Sequence, residues 1–193
     1  MLNPFTFSAI PERIRDGRVA IDLVRPLSFP IQMICAQSGV TLAMLPFALL
    51  AIPFAVLIGG AQQPPSAASA ILWMFSSVLG YIVTVLLATM VGMLAFWTLE
   101  VSGIFMVYRM VGQLMSGALI PLWFMPEWLQ SLALWLPFQG TTYTPLAIYV
   151  GQLQGILDLC TAVGRQLAWL IVLCVILRTV WTRAWRRVVV QGG

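Results

Sequence analysis

The chain has 193 residues, of which 61% are hydrophobic and only 8% charged, with a mean hydropathy of +0.96. A soluble domain carries about 25% charged residues, so this composition excludes one. The ten basic residues are all arginine, without lysine or histidine, and the net charge is +4; they gather near the two ends, which speaks for membrane topology and against a nucleic-acid partner.

Residues 8–26 read as a cytosolic amphipathic segment. Ser8 can cap a helix whose first turn accepts Pro11. Ile10, Ile14, Ile21 and Val24 recur near one face, with Glu12, Arg13, Arg15, Asp16, Arg18, Asp22 and Arg25 on the others. Gly17 interrupts the pattern and leaves one helix or two short pieces open. Arg25 precedes Pro26, which disfavours helical geometry at Arg25 and predicts a bend before the membrane. The first strongly apolar stretch starts only near Ile31, so the short basic region and early apolar core of a signal peptide are missing from this reading.

From Pro26 to Leu99 no charged side chain occurs. A transmembrane helix needs roughly 20 apolar residues, and a charge at mid-bilayer costs about 2.5 to 3.5 kcal/mol on insertion scales. The first span is expected at about 33–58, with Pro46 and Pro53 as kink sites, and a turn at 59–66 returns the chain through a second span at about 70–97. A third is expected at about 102–121; Arg109 within it can reach the headgroups along its aliphatic stem or pair with Glu100. Residues 126–136 are too few to cross, and Trp123, Trp128 and Trp135 suit the headgroup level, so this outer segment, with Pro126 at the first helical position and Glu127 behind it, reads as an interfacial or re-entrant helix. Its alternative role is a gate over the translocation path. A short helix from Pro145 toward Gly155 and a last span at about 162–180 follow.

Arg13, Arg15, Arg18 and Arg25 precede the first span, and Arg178, Arg183, Arg186 and Arg187 end or follow the last, whereas 59–70 and 121–162 hold no basic residue. The positive-inside rule then puts both termini in the cytosol, with Arg165 a local exception, and an even number of crossings. The expected fold is all-α: one integral membrane domain, a polytopic four-span bundle in the cell inner or plasma membrane.

Little chemistry is on offer. Without lysine the chain cannot build a phosphate-binding loop of the Gly-Lys-Ser/Thr kind, and without histidine it has no metal or general-base constellation. Cys35, Cys160 and Cys174 are odd in number and sit in or beside apolar segments, so they read as buried small hydrophobes. No enzyme activity, cofactor or metal is expected. Gly80, Gly92, Gly112 and Ser116 are candidates for close helix packing.

Three stretches resemble the permeases of ABC-2-type transporters: 14–27, where Asp16-Gly17-Arg18 leads through Asp22 to Arg25-Pro26; 114–137, where Ser116-Gly117 and Pro121 lead to Met125-Pro126-Glu127-Trp128 and Leu136-Pro137; and 145–151 with the terminal Val190-Gln191-Gly192-Gly193. The resemblance implies a permease that exports a substrate with a separate ATP-binding subunit and a second permease subunit, identical or homologous, among membrane lipids. Family members are expected to have six spans, so the chain looks short by the first two, as a truncation, a mis-set start or a divergent four-span form. Mapped on this sequence, Arg13, Ile14, Arg15, Asp16, Gly17, Arg18, Ile21, Asp22, Arg25 and Pro26 form the surface expected to receive motion from the ATPase, Ile14 and Ile21 being apolar anchors. A nontransporting membrane scaffold, or an inactive permease fragment, is the competing reading.

Overall fold

The structure, a computed structural model, describes residues 9–58, 64–98, 100–153 and 155–186. Ser8, the 59–63 part of the expected turn, Arg187 and the 190–193 motif lie outside the described residues. Among the described residues every regular element is helical: α1 (Ala9–Arg15), α2 (Val19–Val24), α3 (Phe29–Leu57), α4 (Ala67–Met93), α5 (Ser102–Met115), α6 (Glu127–Trp135), α7 (Tyr143–Tyr149) and α8 (Ile156–Trp185), with 3-10 turns at Leu94–Phe96, Leu122–Phe124 and Pro137–Gly140.

Two stretches among the described residues, Ala67–Phe96 and Ile156–Trp185, are long and apolar enough to cross a membrane. That is two, where four were expected. The first expected span coincides with α3, which has 29 residues, no charged side chain and continuous helix through Pro46 and Pro53; several of its side chains lie outside the described set. The third expected span is shortened for a physical reason. α5 has 14 residues, about 21 Å of helix against a hydrocarbon core of about 30 Å, and the chain leaves it at Gly117, whose φ of +73° lies in the left-handed region that ends helices. The last helix overshoots its expected 162–180 at both ends, because backbone hydrogen bonding continues past the apolar window through Asp158 and Arg183.

The described chain forms two compact units. One comprises the described residues of 1–52, 85–108 and 174–193. Here α1 lies against the 3-10 turn that ends α4, with Ile10 fully buried. Phe29 is buried too, stacked on Trp181 at 5.6 Å and edge-on to Phe96 at 5.8 Å. The other comprises 53–84 and 109–173. Its core is Met115, Leu122, Met125 and Ala133, with Leu129, Leu136, Phe138 and Tyr143 packed around it. Through it α6, too short to cross at nine residues or about 14 Å, is fixed beside the turn leading to α7.

Polar groups inside this second unit are paired. Gln166 of α8, 1% exposed, donates from its Nε2 to the carbonyls of Gly140 at 2.7 Å and Ser76 at 3.1 Å, while its Oε1 accepts from the Ser76 hydroxyl at 2.9 Å. Gln139 accepts from the Thr144 hydroxyl at 3.2 Å. The three cysteines, read as buried, are instead exposed on the protein surface, where lipid contact suits a small apolar side chain as well as a core does.

Glycine lets two of these contacts form. A Cβ on Gly80 would meet the carbonyl oxygen of Gly140 at 2.6 Å, a backbone atom with nowhere to go, whereas one on Gly92 would meet Cδ1 of Ile10 at 2.7 Å, the tip of a flexible side chain. Gly80→Ala is therefore expected to cost about 2 kcal/mol and Gly92→Ala under about 1 kcal/mol. Unfolding midpoints in one detergent check this; equal shifts would contradict the packing.

Candidate functional site

α1 has seven residues and α2 six, lengths at which an isolated helix does not persist in water. What holds them is a turn and an ion pair. Gly17 adopts φ +69°, a conformation a Cβ would strain, and closes the reversal between the helices. Across that reversal Arg13 Nη1 donates to Asp22 Oδ2 at 2.7 Å, with the Asp22 side chain only 4% exposed. Arg25 stands 3.9 Å from the other carboxylate oxygen. The backbone of Arg25 is extended, with ψ 148°, as the following proline demands, and ends α2.

The two-piece alternative is thus the observed one, and its turn changes which residues point inward. The single apolar face of Ile14, Ile21 and Val24 does not form: Ile21 and Val24 are 66% and 86% exposed, and Ile14 is half-buried. Ile10, Pro11 and Val19 are buried instead, together with Asp22. A helical period counted straight through Gly17 is broken by the left-handed residue, which rotates α2 relative to α1. For Arg13 and Asp22 the expectation of outward-facing contacts is corrected as well, since they are spent on one another inside the segment.

Outward lie Arg15, Asp16, Gly17 and Arg18 at the tip. Arg18 is hydrogen-bonded to Asp16 through its Nη2 and, at 3.1 Å, its Nε. The base of the segment is joined to α3 by Gln32, whose Nε2 donates to the carbonyls of Asp22 and Leu27, both at 2.7 Å. Sequence reasoning missed Gln32; its signal is an amide at the start of an otherwise apolar helix. Behind Arg25 and Pro26, with Leu27 and Ser28, opens a cleft of about 310 Å³ closed on its far wall by Trp181 and Trp185 of α8.

The outer segment is more solvent- or lipid-facing than catalytic in character. Trp123, Trp128 and Trp135 are 42%, 70% and 79% exposed, and Glu127 is exposed in the first turn of α6. Pro126 caps that helix from the position before it, one residue earlier than expected, and its carbonyl accepts from the amides of Leu129 and Gln130, each at 2.9 Å. At the other end Trp169 Nε1 donates to the carbonyl of Trp135 at 3.0 Å and Arg165 reaches that of Leu134 at 3.4 Å. Arg165, the exception to the charge rule, therefore serves the last carbonyls of α6, where a cation complements the helix dipole. α7 starts two residues before Pro145 and stops at Gly151, φ +75°.

Among the described residues no group of three or more His, Cys, Asp or Glu side chains could hold a metal ion. The arrangement is one of two short helices braced by an ion pair, with an exposed charged tip.

The family model described as ABC-2 family transporter protein matches residues 3–192. No curated protein and no solved structure matches the chain.

Removing Arg13 leaves the buried Asp22 carboxylate, among the described residues, with the distant Arg25 as its cation, so Arg13→Ala is expected to cost about 1–3 kcal/mol. Arg18→Ala removes an exposed pair and should stay within about 0.5 kcal/mol. Urea unfolding in mild detergent distinguishes them, and similar costs for both would deny the brace.

Proposed function

The chain belongs to the ABC-2 family of transporter proteins, and from that membership we propose that it is the permease subunit of an export complex whose ATP is hydrolysed by a separate subunit and whose path is shared with a second permease, identical or homologous. The observation that carries the coupling half of this reading is the α1–α2 hairpin: braced internally by Arg13 and Asp22, with its charged tip turned outward.

In this reading Arg15, Asp16 and Arg18 at the Gly17 turn meet the ATP-binding subunit. Displacement of the tip passes to the bundle by two routes. Gln32 carries it from the carbonyls of Asp22 and Leu27 into α3. Ile10 carries it to α4, against the surface that Gly92 leaves open. Because packed side chains rearrange between discrete states instead of deforming smoothly, a stiff hairpin on such contacts can bias the spans between inward- and outward-facing arrangements. No bond is made or broken by this chain.

Four crossings are part of the proposal. α3 and α4 supply two, α8 a third, and the segment at about 102–121, with α5 as its helical part, the fourth; non-helical backbone at membrane depth is acceptable where protein covers it, and Ser116, just after α5, is buried. Both termini then lie in the cytosol of an inner or plasma membrane. α6, with its exposed tryptophans, acts as an anchor at the opposite headgroup layer, a role its fixed ends support better than a gate.

Asp16→Arg, which reverses the charge of one tip residue and raises the tip's net charge without touching the Arg13–Asp22 brace, is expected to weaken capture of the ATP-binding subunit about tenfold, or 1.4 kcal/mol, with membrane insertion unchanged. Pull-down from membranes with an insertion control reads it. Undiminished capture by both Asp16→Arg and Arg15→Glu rules out the tip as the docking point.

A further inference from the structure

We propose that the cleft beside Arg25 is a binding site for the headgroup of an anionic phospholipid, seated between the end of α2 and the end of α8. Its polar wall is Arg25 and Ser28; its apolar walls are Leu27, Trp181 and Trp185. The Arg25 side chain is 61% exposed, and the Asp22 oxygen nearest it is 3.9 Å away, beyond hydrogen-bonding distance, because Arg13 holds that carboxylate more closely. The guanidinium therefore keeps donors for a phosphate, which it can grip with two parallel N–H groups.

Depth in the membrane selects a lipid as the occupant. Trp181 and Trp185 follow Arg178 where the apolar run of α8 ends, and tryptophan and arginine together mark the headgroup layer. Leu27, a lining residue that is 56% exposed, gives the cleft an apolar edge against which an acyl chain can lie. Charge selects an anionic one: in this unit the described arginines outnumber the acids, whereas the other unit balances Arg109 and Arg165 against Glu127 and Asp158, and a basic juxtamembrane surface attracts anionic lipid. The site rests on the transmembrane placement of α8 and stands apart from docking of the ATPase, so the two are tested separately.

The test uses the full chain, purified without any partner in micelles doped equally with phosphatidylglycerol and phosphatidylcholine, with retained lipid identified by native mass spectrometry. Wild type is expected to retain phosphatidylglycerol preferentially, Arg25→Gln to lose that preference about tenfold, Arg25→Lys to keep part of it, and Arg18→Gln, at the exposed tip, to keep all of it. Unfolding midpoints equal to wild type show that each variant is folded. Equal retention of both lipids by wild type, an unchanged preference in Arg25→Gln, an equal loss in Arg18→Gln, or release of the bound lipid by inorganic phosphate would each overturn the proposal.

Discussion

The ion pair between Arg13 and the buried Asp22 is what makes two helices, each shorter than two full turns, behave as one body. Neither helix has the length to persist alone, and the Gly17 turn by itself sets a direction without holding it. Once the pair closes, the rest follows from sterics. Ile10 and Val19 are committed inward, Asp16 and Arg18 outward, and the chain leaves α2 extended at Arg25 to enter α3. A buried ion pair is weak evidence of net stability, but its geometry is specific, and it fixes the direction in which the tip points. Gln32 adds the connection to α3 without adding charge.

The second unit solves a different problem under the same physics. Short helices and turns leave backbone groups unpaired at their ends, so they are held best where other elements accept and donate for them. Gln166 does this for Gly140 and Ser76 at once, and Trp169 and Arg165 do it for the last carbonyls of α6. Gly80 is the steric counterpart, since only a residue without a Cβ lets the Gly140 carbonyl come so near α4. Each unit leaves large apolar side chains exposed, Phe47 and Val175 in the first and Phe54 and Ile171 in the second, such as a bilayer rather than water would cover.

Much of this was legible in the sequence because charge placement and apolar length are local properties. The uncharged run after Pro26, the short Trp-rich segment near 126–136 and the bend at Arg25-Pro26 all map onto observed elements. Periodicity failed where it was carried across Gly17, because the left-handed turn re-phases the helix and so exposes Ile21 and Val24 while burying Val19. The third expected span is helical only as far as Met115, since hydropathy continues beyond Gly117 although the helix does not. Gln166 and Gln32 escaped notice because their Nε2 partners are backbone carbonyls, which carry no sequence signature, and because Ser76, which also donates to Gln166 through its hydroxyl, lies 90 positions away. An amide in an apolar helix is the only local hint that such a contact exists.

The central claim, that this family member works as the membrane half of an ATP-driven complex, is tested most directly by purifying the tagged chain from its native membrane in gentle detergent and determining the intact mass and subunits of what comes with it. The account predicts an ATP-binding subunit together with a second permease. A chain recovered repeatedly without any ATP-binding subunit, in detergent that preserves other membrane complexes of the same preparation, would contradict it.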